Sequence, residues 1–285
     1  MNAPRRLAAL MAVVVVLAAA IPAVSSEVMQ IRVYLDNKED YLKLTSLRPD
    51  IVWRGDGWLE IVGSQKDLDE LEALGFRATV IHPDLKAFYK SRLADKDMGG
   101  YLTLSEVWDS VDAIVADHPD IITGRQFIGN TWEGRSMYAL KISDNPTQDE
   151  PEPEVMYTAA IHAREVITPL VLLNVMNYLT DNYGVLPEIT ELVDERELWF
   201  VPIVNPDGYY HNQVTDPDGG GMWRKNRRDN GDGSYGVDLN RNFGYEWGYD
   251  DEGSSPYTDD PTYRGPSAFS EPETRIVRDY INHRN

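Results

Sequence analysis

The stretch Val155-Met156-Tyr157-Thr158-Ala159-Ala160-Ile161, running straight into His162-Ala163-Arg164-Glu165, decides the fold. Its first seven residues carry no charge, as expected of a strand buried on both faces. Glu165 to Tyr183 then reads as a long helix, and Leu198 to Val204 as a second buried strand. Buried strands alternating with helices that cover them define an α/β domain. Working outward, Ser136 to Ile142 reads as another strand, and Pro146 to Pro153 as an acidic, proline-rich turn. Thr103-Leu-Ser-Glu106 is a capping box that opens a helix reaching Asp117, where His118-Pro119 ends it. Ser270 and Glu273 have the same spacing ahead of a final helix to His283. Residues 205–265 are rich in Gly, Asp and Asn with few periodic runs, so an irregular, functional stretch is expected there.

Upstream lies a smaller unit. Val28 to Leu35 reads as a strand, Lys38 to Leu47 as a helix, and Ile51-Val-Trp53 with Trp58 to Val62 as a hairpin around Gly57. Gln65 to Leu74 sets Leu68, Leu71 and Leu74 on one helical face, and Arg77 to Ile81 is a last strand. The order βαββαβ is that of a split-βαβ sandwich. No catalytic cluster stands out in it, and His82 before Pro83 reads as a turn residue. Leu85 to Asp97 is a charged helical connector, and Lys96 to Gly100 a candidate proteolytic linker. At the start, Arg5 and Arg6 precede the uncharged run Leu7 to Ile21 and the small residues Ala23-Val-Ser25, the pattern of a cleaved export signal over 1–25. The run is short for a membrane anchor. The organisation read from the chain is therefore 1–25, 26–98 and 99–285, and the location secreted or extracytoplasmic.

The 285 residues suit about two domains. With 27 Lys and Arg against 47 Asp and Glu, the formal net charge of −20 argues against a nucleic-acid partner. The absence of cysteine excludes disulfides and thiolate chemistry, so any zinc site here must use His and carboxylate. Most of the acidity lies after residue 98, where 33 acids face 14 bases. Six of those bases fall in a few short segments: Arg164, Arg224, Lys225, Arg227, Arg228 and Arg241. Surface ion pairs explain single bases but not this clustering, which suits a positive pocket in a negative surface.

His162 and Glu165 leave a buried strand together, and imidazole with carboxylate is a donor set that zinc accepts. In isolation a surface histidine and a helix-start glutamate explain them equally well. Asn205-Pro-Asp-Gly-Tyr209 follows the next buried strand and consists of turn formers. Met222-Trp-Arg-Lys-Asn-Arg-Arg228 and Val237-Asp-Leu-Asn-Arg-Asn-Phe243 complete the set.

Taken in order, HxRE, NPDGY, WRKNR, GVDxNRNF and SEPET make residues 101–285 resemble the zinc metallocarboxypeptidases of the carboxypeptidase A family. The N-terminal unit resembles the pro-segment of such enzymes. The resemblance implies a three-layer α/β/α fold with a mixed central sheet, incomplete here, and one zinc ion. It implies His162 and Glu165 as metal ligands, Asp238 as the carboxylate that orients His162, and Arg224 as the group that stabilises the scissile carbonyl's oxyanion. Asn240 and Arg241 match the pair that holds a substrate's free C-terminal carboxylate, and Arg164 matches an arginine of the peptide groove. Lys225, Arg227 and Arg228 are expected to be structural or rim residues. The implied partner is a peptide or protein with a free C terminus.

The second zinc histidine, the covering tyrosine and the general-base glutamate of the family pattern fall beyond Asn285, so this chain is expected to be an inactive N-terminal part of the catalytic domain. None of His82, His118, His211 or His283 fits the third ligand, His211 being read as a loop residue. Three other readings share features of the sequence: a cell-wall peptidase acting on D-amino-acid peptides, a desuccinylase or aspartoacylase of the same fold, and a non-catalytic secreted binding protein. The acidic segments around Asp216-Pro-Asp218 and Asp229 to Asp232 are candidate calcium sites, against the alternative of solvated loops.

Overall fold

The computed structural model describes residues 28–92 and 97–284. The expected export signal and part of the connector lie outside the described residues.

The N-terminal unit runs β1 (Met29–Tyr34), α1 (Lys38–Ser46), β2 (Asp50–Gly55), β3 (Trp58–Gly63), α2 (Gln65–Ala73), β4 (Arg77–His82) and α3 (Leu85–Lys90). Its four strands form one antiparallel sheet in the order β2-β3-β1-β4. Alternation along β1 sends Met29, Ile31 and Val33 inward, where Leu44 of α1 and Leu71 of α2 meet them. Both helices are capped at their starts, α1 by Asn37 and α2 by a Ser64–Asp67 capping box. Gly57, at φ 71°, supplies the left-handed residue that the β2–β3 turn needs. β2 is an edge strand: Asp50 is buried, while Ile51, Val52 and Trp53 are exposed.

The larger unit contains α4 (Leu104–Asp117), β5 (Gln126–Asn130), β6 (Ser136–Ile142), β7 (Glu154–Thr158), α5 (Ile167–Asn182), α6 (Pro187–Asp194), β8 (Glu197–Val201), α7 (Pro206–Thr215) and α8 (Pro272–Asn282). The sheet order is β5-β6-β8-β7, with β7 and β8 parallel and the other pairs antiparallel. Leu140, Ile142, Leu198 and Phe200 pack on one face against Val107, Val111, Leu173 and Met176 of α4 and α5. Met137, Ala139 and Val201 pack on the other against Leu239 and Val277, the latter from α8. This is the expected three-layer architecture with a mixed sheet. β8 is buried throughout, and its one charge, Glu197, is met by Lys141 at 2.7 Å and Arg284 at 2.5 Å. Among the described residues no helix is long and apolar enough to cross a membrane.

Several local expectations need correction. NPDGY is a helix start rather than a turn: Asn205 is the N-cap of α7 and Pro206 its first residue, so His211 is helical. α5 begins at Ile167, not Glu165, because residues 162–165 form a turn closed by Glu165 N to His162 O at 3.1 Å. α8 has Glu271, not Ser270, at its N-cap, because the Glu273 carboxylate is buried and bonded to Asn226 instead of reaching back. At the end of the connector Met98 is buried and its N–H donates to Pro217 O at 2.6 Å.

Candidate active site

The parallel strands β7 and β8 end side by side, and both chains leave the sheet toward the same space. Sites in open α/β sheets form at such carboxyl ends. Ala160, at φ 49°, turns the chain out of β7, and its N–H is held by Thr168 Oγ1 at 3.0 Å. His162 to Glu165 therefore project past the sheet. The Asn205 side chain fastens three segments together: Oδ1 accepts from Gly208 N at 2.9 Å, and Nδ2 donates to Lys225 O at 3.1 Å and Ile161 O at 3.3 Å. Gly208 is required here, because a Cβ on it would meet Lys225 O at 2.7 Å and Ala163 Cβ at 2.8 Å. Ala163 N donates to Arg224 O at 3.0 Å, which seats the WRKNR segment beside the histidine.

The side chains then form one connected set. His162 Nδ1 lies 2.9 Å from Glu165 Oε1, and its Nε2 lies 3.1 Å from Asp238 Oδ1. Asp238 Oδ2 accepts from Arg224 Nε at 3.2 Å and Nη2 at 2.9 Å. Asp238 is fully buried and His162 nearly so. Burial alone would raise the Asp238 pKa, but the His162 hydrogen bond and the Arg224 charge hold it down at about 2. For His162, burial works toward a lower pKa and the bonds to Asp238 and Glu165 outweigh it, so the net direction is up. Glu165 moves down, its burial being overcome by its bond to His162.

Asn240 and Arg241 follow Asp238 on a single 3-10 turn, Leu239–Arg241, whose Asn240 N is capped by Asp238 Oδ1 at 2.9 Å. Asn240 is exposed; Arg241 Nε donates to Gly253 O at 2.6 Å. Arg164 Nη2 donates to Asp50 Oδ2 of the N-terminal unit at 2.7 Å, and Arg224 Nη1 lies 4.0 Å from Asp50 Oδ1. Asp50 thus sits between two arginines of the set. Sequence reading missed it, and its one local signal is an acid at the head of an edge strand, after Arg48-Pro49.

The remaining basic residues serve the frame. Lys225 Nζ donates to Thr258 O at 2.8 Å and Asp260 O at 3.1 Å, Arg228 pairs with Glu271 at 2.9 Å, and the Arg227 guanidinium lies over Trp223. The other described histidines lie elsewhere: His118 on Asp181, His211 edge-on to Trp223, His82 stacked on Phe88, and His283 on Asp279 O. Asp216 pairs with Lys86, Asp218 pairs with Lys90, and Asp232 accepts from Ser234 N and Thr258 Oγ1, so these acids turn to lysines and loop donors rather than converge.

The donor set suits zinc, since an imidazole and a carboxylate face each other and the second ring nitrogen is fixed by a buried carboxylate. Known proteins resemble the chain in the same sense. It is 35% identical over 213 residues to a zinc carboxypeptidase of Saccharothrix mutabilis subsp. capreolus, covering 70% of this chain and 48% of that protein. It is 36% identical over 182 residues to carboxypeptidase A2 of Rattus norvegicus, covering 64% of this chain and 41% of that one. The crystal structure of carboxypeptidase A from Helicoverpa armigera superposes with a TM-score of 0.75 at 25% identity, over 92% of this chain and 68% of that chain. The chain thus spans about half the length of the curated relatives it matches. Residues 107–285 match the profile of the zinc carboxypeptidases, and the chain belongs to that family.

Proposed function

We propose that the chain carries the N-terminal part of the active site of a peptidase that releases single amino acids from the C terminus of peptides. The observation that carries this reading is the connected set Glu165–His162–Asp238–Arg224 at the carboxyl ends of β7 and β8. His162 Nδ1 and Glu165 would hold the zinc, while Asp238 fixes the ring through Nε2. Bound zinc would polarise the scissile carbonyl and activate water. Arg224, aligned by Asp238, would donate to the carbonyl oxygen as negative charge develops on it. Asn240 and Arg241 would receive the terminal carboxylate, and Arg164 the upstream peptide backbone, as guanidinium groups suit such acceptors. We assign neither a third ligand nor a general base among the described residues.

The N-terminal unit is proposed to act as a pro-segment. Asp50 occupies the two arginines that a substrate would need, and Ile51 and Val52 wall a cavity of about 440 Å³ shared with Glu165, Val166 and Ile167. The uncharged leader over 7–21 supports export. The test uses enzyme of the family's full length, freed of residues 28–96, on an N-blocked dipeptide. Hydrolysis of the free acid but not of the C-terminal amide, lost in Arg241→Ala, is expected. Equal hydrolysis of acid and amide would overturn the carboxypeptidase reading.

A further inference from the structure

Behind the Arg224 segment three carboxyl groups are sealed from solvent: Asp207, Glu271 and Glu273 are each 0% exposed. Two of them have a guanidinium. Asp207 Oδ1 accepts from Arg135 Nη1 at 2.9 Å, and Glu271 Oε1 accepts from Arg228 Nη1 at 2.9 Å. Glu271 Oε2 also accepts from Trp132 Nε1 at 2.6 Å and Asn226 Nδ2 at 2.8 Å. Glu273 has no cation among the described residues. Its Oε2 accepts from Asn226 Nδ2 at 3.1 Å, and its Oε1 is buried without a hydrogen-bond partner.

Asn226 connects this cluster to the site. Its backbone N–H donates to Val237 O at 3.0 Å, and its Oδ1 accepts from Val237 N at 2.8 Å. The amide therefore clamps the segment bearing Arg224 to the segment bearing Asp238, and its Nδ2 is gripped from behind by both glutamates.

We propose that Glu273 is a positioning residue held as a neutral acid, which through Asn226 sets the register of Arg224 on Asp238, a register that shifts when Glu273 ionises. The functional meaning of this rests on the role proposed above for Arg224.

The charge count supports it. Two guanidinium groups already face two carboxylates, so a third carboxylate would be buried beside like charges with no partner. The groups acting on Glu273 are Glu271 at the N-cap of α8, Asp207 on α7 and Asn226 of the WRKNR segment, while Arg135 and Arg228 are taken up by Asp207 and Glu271. Burial first, then the charges of Glu271 and Asp207, push the Glu273 carboxyl up to about 8, against its own backbone N–H and the Asn226 bond. The start of α8 favours an anion at this position. The balance nevertheless goes the other way, because that effect is smaller than burying an unpaired charge.

The test follows the side-chain signals of Arg224 Nε–H and the Asn226 amide by NMR in the full chain, from about pH 6 to about pH 9, alongside thermal unfolding. In the wild type both signals should move together in one step near pH 8, with this carboxyl's contribution to stability falling as pH rises to about 8 and level above it. Glu273→Gln keeps the acceptor without the charge, so it should hold both signals at their low-pH positions and remove the step. Unmoved wild-type signals, or a step that persists in Glu273→Gln, would overturn the proposal. If that variant does not fold, infrared spectroscopy of the wild type decides. A protonated-carboxyl band at neutral pH that vanishes by about pH 9 supports the proposal, and its absence at neutral pH overturns it. Neither readout involves zinc or turnover, so failure of the proposed activity would be seen separately.

Discussion

Asp50 Oδ2 lies 2.7 Å from Arg164 Nη2, joining the head of an edge strand in one unit to the His162–Glu165 turn of the other. Asp50 is 6% exposed and Arg164 14%, so neither charge can fall back on water. Removing one partner of such a pair leaves the other buried and uncompensated, a loss of about 3 kcal/mol. Asp50→Ala should therefore weaken the hold of the N-terminal unit. Cutting with trypsin after Arg92 or Lys96, then size-exclusion chromatography over a dilution series, would show it. The variant should separate into two species at concentrations where the wild type elutes as one. Identical profiles would mean that Asp50 does not anchor the unit.

Asp238 fixes His162 through Nε2 while also holding Arg224, so on the proposed ligand set its removal should reach the metal through His162. Losing the carboxylate behind a ligand imidazole lowers metal affinity about 10–100-fold. Calorimetric zinc titration of Asp238→Ala against the wild type measures that ratio. His162→Ala should lower the affinity further still. An Asp238→Ala affinity equal to wild type would place the zinc away from His162.

How much of this was legible in the residues depended on range. The runs 136–142, 155–161 and 198–204 announced β6, β7 and β8, and burial explains the first and the last, where Lys141 is the one charge and is itself buried against Glu197. β7 corrects the expectation of a buried strand: it is the edge of its sheet, with Val155 and Tyr157 exposed, so its lack of charge marked a strand but not burial. β5 and α6 gave no such run. β5 is short and carries Gly129, and α6 hides its start behind Pro187, which reads as a breaker although proline suits a first helical turn. The same ambiguity made a helix start look like a turn at Asn205-Pro206. For the site, single residues were uninformative and only the ordered motifs pointed to it. The structure brings His162, Glu165, Asp238 and Arg224 into contact, while Asn240 and Arg241 sit beside them on the next turn. Asp50 was invisible because its partners lie more than a hundred positions away, and no local periodicity encodes such a contact.

The start of the larger unit gives a local test. Thr103 Oγ1 caps Glu106 N at 3.3 Å, and Glu106 Oε2 accepts from Thr103 N at 2.7 Å. The bonds from Thr103 hold the Glu106 carboxyl below its ordinary range. Thr103→Ala should cost about 1 kcal/mol in denaturant unfolding, with Thr103→Ser restoring most of it. A loss that serine does not restore would point to the threonine methyl rather than the cap.

Lys225 offers a pH test whose sign is opposite to intuition about a buried charge. Lys225 is 7% exposed, and its ammonium donates to the carbonyls of Thr258 and Asp260, at 2.8 Å and 3.1 Å, beside the Tyr263 ring. Burial is the leading influence and lowers its pKa from 10.5 to about 8, against the opposing pull of Asp259 and Asp260. Between those two values the folded chain binds fewer protons at this site than the unfolded chain does. Stability from this group therefore rises with pH across the window, and below about 8 the full burial penalty is present. The span corresponds to about 3 kcal/mol. Lys225→Met keeps the length of the side chain and removes the titration. The wild-type stability minus that of Lys225→Met, from urea unfolding at matched pH, should grow by about that amount between pH 8 and 10.5. Subtraction cancels the tyrosines and other groups that titrate in both proteins. A difference that stays constant, or shrinks, across the window would mean that the lysine is solvated through the 258–260 loop and is not the buried cation described above.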